Sequence, residues 1–111
     1  MDDNEQAMAQ EFVTVATTDE VADGKSKLVS TGGQEIAVFR IGEEFFAIAN
    51  ECPHYGADLC DGFVRDKTVT CPWHGWEFNL ENGSSMTRPG YDVESFEVKV
   101  EDGHIKLAVT K

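Results

Sequence analysis

Two short segments, Cys52-Pro53-His54 and Cys71-Pro72-Trp73-His74, constrain this chain more than any other part of its sequence. Each segment carries one thiol and one imidazole, and the chain has only three cysteines and three histidines in all. Its metal-binding side chains are therefore concentrated in two places. A fold that uses them together must bring the two segments side by side.

The spacing within each segment is compatible with one shared site. Residues two apart in an extended stretch face the same side, so Cys52 and His54 can point at the same place. Cys71 and His74 are three apart, which requires a turn, and Gly75 relaxes the backbone immediately after it. The four side chains Cys52, His54, Cys71 and His74 are therefore the candidate metal ligands.

One cysteine and one histidine from each segment favour a particular donor set. A two-iron, two-sulfide cluster can take both cysteines on one iron and both histidines on the other. Imidazole donates less charge than thiolate, so the histidine-bound iron would accept the electron, at a higher potential than in an all-cysteine cluster. A structural zinc site and a Cys–His nucleophilic dyad are the alternatives, although zinc fingers usually present two cysteines and then two histidines.

Length and composition indicate one small domain. A chain of 111 residues suits a single modest core. No run of eighteen apolar residues is present, which predicts no transmembrane helix. Residues 1–10 are acidic and polar and lack the features of a signal peptide, so they are expected to form a flexible tail before a domain at 11–111.

The charge balance restricts the partners. The net charge of −12 disfavours nucleic acid and anionic lipid and favours a basic protein partner, although acidity can also serve solubility alone. If Cys52 and Cys71 are ligands, Cys60 has no cysteine left for an intramolecular disulfide. A cysteine without an intramolecular disulfide partner fits a protein of the reducing cytoplasm.

The rest of the chain reads as short β-strands separated by turns. Alternating apolar residues, a Gly-Gly break, Asp-Gly turns and the lack of any sustained helical period predict an all-β sandwich or barrel. A small subdomain at about 50–80 would carry the ligand segments. Strands are expected at 12–16, 27–29, 34–41, 45–49, 63–64, 68–70, 96–100 and 104–109, with one helical or turn-like step at 17–21.

The pattern C-x-H-x₁₆-C-x-x-H, within CPHYGADL and CPWHGWEF, resembles the Rieske iron–sulfur family. The resemblance extends from Phe12 to Val109, and the two motifs look like those of the ferredoxins and oxygenase Rieske domains of bacterial ring-hydroxylating systems. It implies three antiparallel sheets with the [2Fe-2S] cluster near an exposed tip. It also implies that Cys52 and Cys71 hold one iron, that His54 and His74 hold the other, and that a loop near Pro89-Gly90 covers a third side.

The sequence departs from the respiratory branch of the family at four positions. That branch has a cysteine in each loop, forming a disulfide, where this chain has Ala57 and Trp73. It also has hydroxyl-bearing residues that bond to sulfur where this chain has Trp76 and Phe78. Hydrogen bonds to sulfur stabilise the reduced cluster, so their absence predicts a potential near the low end of the Rieske range, on the order of −150 mV.

Several residues outside the candidate ligand set also have expected roles. Cys60 is expected to be a small buried hydrophobe, and His104 an exposed strand residue. Trp73 and Trp76 are expected to shield the cluster and fill the core of the subdomain, with electron transfer or docking as the alternative. Glu51, Asp58 and Asp61 form either an acidic collar for a basic partner or a set of ordinary loop carboxylates.

The resemblance implies a one-electron carrier rather than an enzyme. It would accept electrons from a flavin-dependent NAD(P)H ferredoxin reductase and deliver them to a terminal oxygenase of an aromatic-ring-hydroxylating system. The first alternative is the small subunit of an assimilatory nitrite reductase, although many members of that group lack ligands that are all present here. A non-redox zinc-binding module is the second.

Overall fold

The computed structural model describes residues 10–53, 56–73, 75–87 and 89–110. Within them the chain is built from ten β-strands and two single-turn 3₁₀ helices at Thr18–Glu20 and Leu59–Asp61. The strands are β1 Gln10–Thr17, β2 Ser26–Thr31, β3 Gln34–Ile41, β4 Glu44–Ala49, β5 Phe63–Arg65, β6 Thr68–Thr70, β7 Glu77–Asn79, β8 Ser95–Phe96, β9 Val98–Glu101 and β10 His104–Thr110.

The strands form three antiparallel sheets, as the family resemblance predicts. Their orders are β1-β10-β9, β2-β3-β4-β8 and β5-β6-β7. The all-β prediction is therefore confirmed. No helix among the described residues is long and apolar enough to cross a membrane.

Strand β3 lies between two apolar cores, which explains its uninterrupted buried run. Ile36 and Val38 face a core shared with β1 and β10, whereas Ala37 and Phe39 face a core shared with the ligand segments. All four side chains are fully buried. Because successive strand residues point to opposite faces, a strand covered on both sides reads as continuous apolar sequence.

Two-residue turns close two of the hairpins, at Asp102-Gly103, where the sequence predicts a hairpin, and at Gly32-Gly33, where it indicates only a break in the chain. Gly32 and Gly33 connect β2 to β3 with positive φ angles of 61° and 79°. Asp102 and Gly103 connect β9 to β10 with φ angles of 51° and 77°. Positive φ at both central residues is the requirement of a type I′ turn, which glycine and aspartate tolerate.

One predicted strand is wrong in its extent. The expected strand at 96–100 is two strands, because β8 pairs with β4 while β9 pairs with β10. The chain changes sheets at Glu97, whose carbonyl accepts a hydrogen bond from the amide of Ala108 at 3.0 Å. Alternation of apolar residues cannot reveal such a crossing, since the pattern continues through it.

The β5-β6-β7 sheet and the segment after it form the subdomain that carries the ligand segments. Gly83 fixes the return of this segment, because its carbonyl accepts a 2.8 Å hydrogen bond from the amide of Val93. A Cβ atom on Gly83 would lie 2.0 Å from the Val93 carbonyl oxygen, at a φ of 76°. Only glycine fits this position without movement of the backbone.

Replacing Gly83 with alanine is expected to destabilise the fold far more than the same change at Gly33. Gly33 has nearly the same φ, 79°, but no atom within 4 Å of an added Cβ. Gly33→Ala should therefore cost about 1 kcal/mol, from backbone strain alone. Gly83→Ala should cost about 1–3 kcal/mol more through overlap. Denaturant unfolding measures both, and equal losses would contradict this packing.

Candidate metal centre

The two ligand segments place their cysteines in one buried cluster. Cys52 and Cys71 are each 1% exposed, and both pack in the core between the β2-β3-β4-β8 sheet and the subdomain. Neighbouring members of that core are Ala57, Leu59, Val69, Trp76, Phe78 and Val93. The fold therefore brings together the two thiols that the sequence singles out.

The first ligand loop is closed by two backbone hydrogen bonds. The amide of Cys52 donates to the carbonyl of Ala57 at 2.9 Å, and the amide of Gly56 donates to the carbonyl of Cys52 at 2.8 Å. Gly56 has a positive φ of 74°, which a residue with a side chain rarely adopts. His54 lies inside this closed loop and outside the described residues.

The second ligand loop repeats the same construction. The amide of Cys71 donates to the carbonyl of Trp76 at 2.7 Å, and the amide of Gly75 donates to the carbonyl of Cys71 at 3.1 Å. Gly75 has a φ of 80°, close to that of its counterpart in the first loop. His74 lies inside the loop and, like its counterpart, outside the described residues.

The two loops are rooted differently. The second loop continues into the β6-β7 ladder, whose pairs are Thr70–Glu77, Val69–Phe78 and Thr68–Asn79. The first loop is rooted by one isolated bridge, between Glu51 and Asp58, and beyond it by the buried residue Asn50. Sequence reasoning did not single out Asn50. Its position at the end of an apolar strand, two residues before a ligand, was the available signal.

The two positions that carry hydroxyl groups in the respiratory branch are occupied here by Trp76 and Phe78. Trp76 is 9% exposed and Phe78 is fully buried, both in the core that holds the two cysteines. Tyr91 packs against Trp76 with ring centroids 5.3 Å apart. The segment following Pro89 therefore reaches the second ligand loop, which supports the predicted covering loop.

The expectation for the two tryptophans is half correct. Trp76 fills the core of the subdomain, as predicted. Trp73 does not, because its side chain is 65% exposed. Docking or electron transfer, the alternative given for this exposed side chain, stays a prediction.

Cys60 does not belong to the ligand loops. Its thiol is half-buried against the core, and burial, followed by the nearby Asp61 and Asp58 carboxylates, raises its pKa. A raised pKa disfavours the thiolate, which is the form that binds metals and attacks electrophiles. This agrees with its expected role as a small hydrophobe. His104 is exposed at the start of β10, also as expected.

Carboxylates surround the base of the first loop. Glu51, Asp58 and Asp61 are exposed. Glu35, near the start of β3, and Glu94, just before β8, are also exposed, and their carbonyls accept from the amides of Asn50 and Ala49. The ion pairs found among the described residues lie elsewhere, at Lys27–Glu20, Lys67–Glu44, Lys67–Glu81, Lys99–Glu101 and Lys106–Glu101. We call these five carboxylates, Glu35, Glu51, Asp58, Asp61 and Glu94, the acidic flank.

Three antiparallel sheets and two glycine-closed loops that bury one cysteine each define a known class. The model of the Rieske [2Fe-2S] domain family matches residues 11–97, and the chain belongs to this family. Its cofactor is a Rieske-type [2Fe-2S] cluster.

Individual relatives share most of the fold. The chain is 35% identical over 106 residues to the 3-phenylpropionate/cinnamic acid dioxygenase ferredoxin subunit of Photorhabdus laumondii, covering 94% of this chain and 98% of that protein. A solved complex of reduced oxygenase and oxidized ferredoxin in carbazole 1,9a-dioxygenase contains a chain that is 29% identical, with a TM-score of 0.79, covering 87% and 92% of the two chains.

Two further matches belong to other systems. A Mycobacterium tuberculosis protein provisionally assigned as an NADH-dependent nitrite reductase small subunit is 26% identical, with a TM-score of 0.86, covering 92% and 97% of the two chains. Apoptosis-inducing factor 3 of Mus musculus is 33% identical over 99 residues, which is 88% of this chain. The chain spans only 16% of the length of that mouse protein.

The described residues fit the cluster in their chemistry. Two buried thiols stand in two loops of matching hydrogen bonding, and no described side chain forms a disulfide with either. Among residues 10–53, 56–73, 75–87 and 89–110, no group of three His, Cys, Asp or Glu side chains forms a separate metal site.

Proposed function

We propose that this chain is a one-electron carrier that passes electrons from a flavin-dependent NAD(P)H reductase to a terminal oxygenase. The observation that carries the proposal is the likeness itself: the Rieske domain family matches residues 11–97, and the chain is 35% identical to a dioxygenase ferredoxin subunit over 98% of that protein. The chemistry of the cluster, when bound, is reversible one-electron transfer.

Four residues would hold the cluster. Cys52 and Cys71 are proposed to bind one iron, and His54 and His74 the other. The buried positions of the two cysteines support the first half of this assignment. The second half rests on the sequence pattern. Each loop supplies one ligand of each kind, so both loops must be intact for binding.

The side chains around the loops set the conditions for electron transfer. Trp76 and Phe78 exclude water from the buried side of the loops and offer no hydroxyl to sulfur. Fewer hydrogen bonds to sulfur leave the reduced, more negative state less stabilised. The expected potential is therefore near the low end of the Rieske range, as the sequence predicts.

The surface near the first loop supports docking to basic partners. The chain carries a net charge of −12, and the acidic flank places carboxylates beside the loop that contains His54. Opposite charge on a partner would speed encounter without adding much affinity. We place the carrier in the cytoplasm, with residues 11–111 as one domain, because a reducing compartment suits its thiols.

Electron transfer from the cognate reductase should slow as salt concentration rises. The expected change is roughly tenfold between low and high ionic strength, because screening weakens the attraction between charged surfaces. Stopped-flow reduction of the purified protein, followed by its visible absorption, measures the rate. A double variant, Glu51→Gln with Asp61→Asn, should weaken the salt dependence. Asp19→Asn with Asp102→Asn removes the same charge elsewhere and should retain it.

Rates that do not change with salt would show that the acidic surface does not contribute to docking. If no reductase–oxygenase pair turns over with this protein as the carrier, the proposed function itself is contradicted.

The small subunit of a nitrite reductase is the second candidate. The TM-score of 0.86 with the Mycobacterium tuberculosis protein favours it in shape. Copurification separates the candidates, because a subunit should remain bound to its large partner, whereas a carrier should dissociate between transfers. The zinc-binding alternative has no support from the family match.

A further inference from the structure

We propose that Asn50 is the positioning residue for the first ligand loop, and that it supplies the anchoring which sheet pairing supplies to the second. The inference rests on the proposed function only through the ligand assignment of Cys52 and His54. The side chain of Asn50 bonds to Asp58 and Cys60. It acts on the loop through its base.

The need for such a residue follows from the asymmetry between the two loops. Cys71 follows directly after β6, and three consecutive residue pairs join β6 to β7. Cys52 follows a strand, β4, whose sheet partners are β3 and β8 and not the returning side of the loop. On that returning side the chain forms the 3₁₀ helix Leu59–Asp61, which cannot continue a ladder.

Asn50 joins both sides of this gap with its backbone. Its amide donates to the carbonyl of Glu35 on β3 at 3.1 Å, which attaches it to the central sheet. Its carbonyl accepts from the amide of Leu59 at 2.7 Å, which attaches the returning side. These two bonds would form with almost any residue, so they do not explain why asparagine stands here.

The side chain adds two bonds that select the amide group. Its Nδ2 donates to Oδ1 of Asp58 at 2.8 Å, and its Oδ1 accepts from the amide of Cys60 at 2.9 Å. A carboxylate could accept but not donate, and a leucine could do neither. Among side chains of this size, only asparagine meets both requirements at neutral pH.

Burial makes these two hydrogen bonds energetically important. Asn50 is 1% exposed and is the one buried polar residue found among the described positions. Its partner Asp58 also forms the bridge with Glu51 that closes the loop. A buried polar group that loses its partner carries the full cost of desolvation, so the amide holds Asp58 and Cys60 in one arrangement.

The test is an exchange of hydrogen-bond polarity between Asn50 and Asp58. Asn50→Asp places two carboxylates against each other and removes the donor, and it should speed loss of the cluster to a chelator about tenfold or more. Combining it with Asp58→Asn restores a donor–acceptor pair in the opposite direction. The double variant should return to within about threefold of the wild-type rate. Asn82→Asp, on the exposed turn after β7, adds the same single negative charge, can still accept from the amide of Ser84, and should have no effect.

A second readout separates positioning from stability. Leu107→Ala weakens the other core, on the far side of β3, and lowers the unfolding temperature without touching the loop. It should leave the electron paramagnetic resonance spectrum of the reduced cluster unchanged. Asn50→Asp should shift or broaden that spectrum in the fraction that retains a cluster. Iron and sulfide analysis defines that fraction.

Two results would overturn the inference. One is a double variant that loses its cluster as fast as Asn50→Asp alone, since the pair would then not act as a hydrogen-bonded unit. The other is an Asn50→Asp spectrum identical to wild type, which would reduce Asn50 to a stability role. A wild-type protein that binds no cluster would instead contradict the proposed function.

Discussion

Replacing Cys71 with alanine is expected to give a colourless protein with no bound cluster and no measurable electron transfer. Cys71 is buried in the core that also contains Cys52, and the two thiols are the proposed ligands of one iron. Without one of them that iron has a single protein ligand. Visible absorption, together with iron and acid-labile sulfide assays of the purified variant, measures the loss.

Cys60→Ala is the matched control, because it removes the third thiol. That thiol is half-buried, stands outside both loops, and has a raised pKa. The control should keep the full cluster content and wild-type electron transfer. A Cys71→Ala protein that retains a cluster while the Cys60→Ala protein loses it would contradict the ligand assignment.

Replacing His74 with cysteine is expected to keep a cluster but lower its reduction potential by on the order of 100 mV. A thiolate adds negative charge to the iron that accepts the electron, which disfavours reduction. A cluster with imidazole ligands loses potential at high pH as the ring N–H groups deprotonate. The variant lacks one such imidazole, so this fall should become shallower. Redox titrations at several pH values measure both effects.

His104→Gln provides the comparison, since His104 is exposed at the start of β10. It should leave the potential and its pH dependence unchanged. A His74→Cys protein with the wild-type potential would remove His74 from the ligand set, because a thiolate that replaces an imidazole ligand must change the charge on the cluster.

Much of the fold follows from the sequence because its signals are local. The Asp102-Gly103 turn predicts its hairpin through the φ angles that aspartate and glycine tolerate. The crossing of the chain between sheets at Glu97 does not follow, because it depends on which distant strand offers a free edge. Strand β7 is short and directly follows the second loop, so its apolar pattern is too brief to read.

The candidate site shows the same division between local and distant information. The two cysteines and their glycines are recognisable from residue type and spacing. Asn50 is not, because its role depends on Asp58 and Cys60, whose positions are set by the loop it anchors. The exposure of Trp73 was also unpredictable, since an aromatic residue beside a ligand is compatible with either a core or a surface position.

A redox titration of the purified wild-type protein, followed by visible absorption, tests the central claim most directly. We expect a coloured protein that takes up one electron per two irons, at a potential on the order of −150 mV. A colourless protein with stoichiometric zinc, or a potential above about +100 mV, would contradict it.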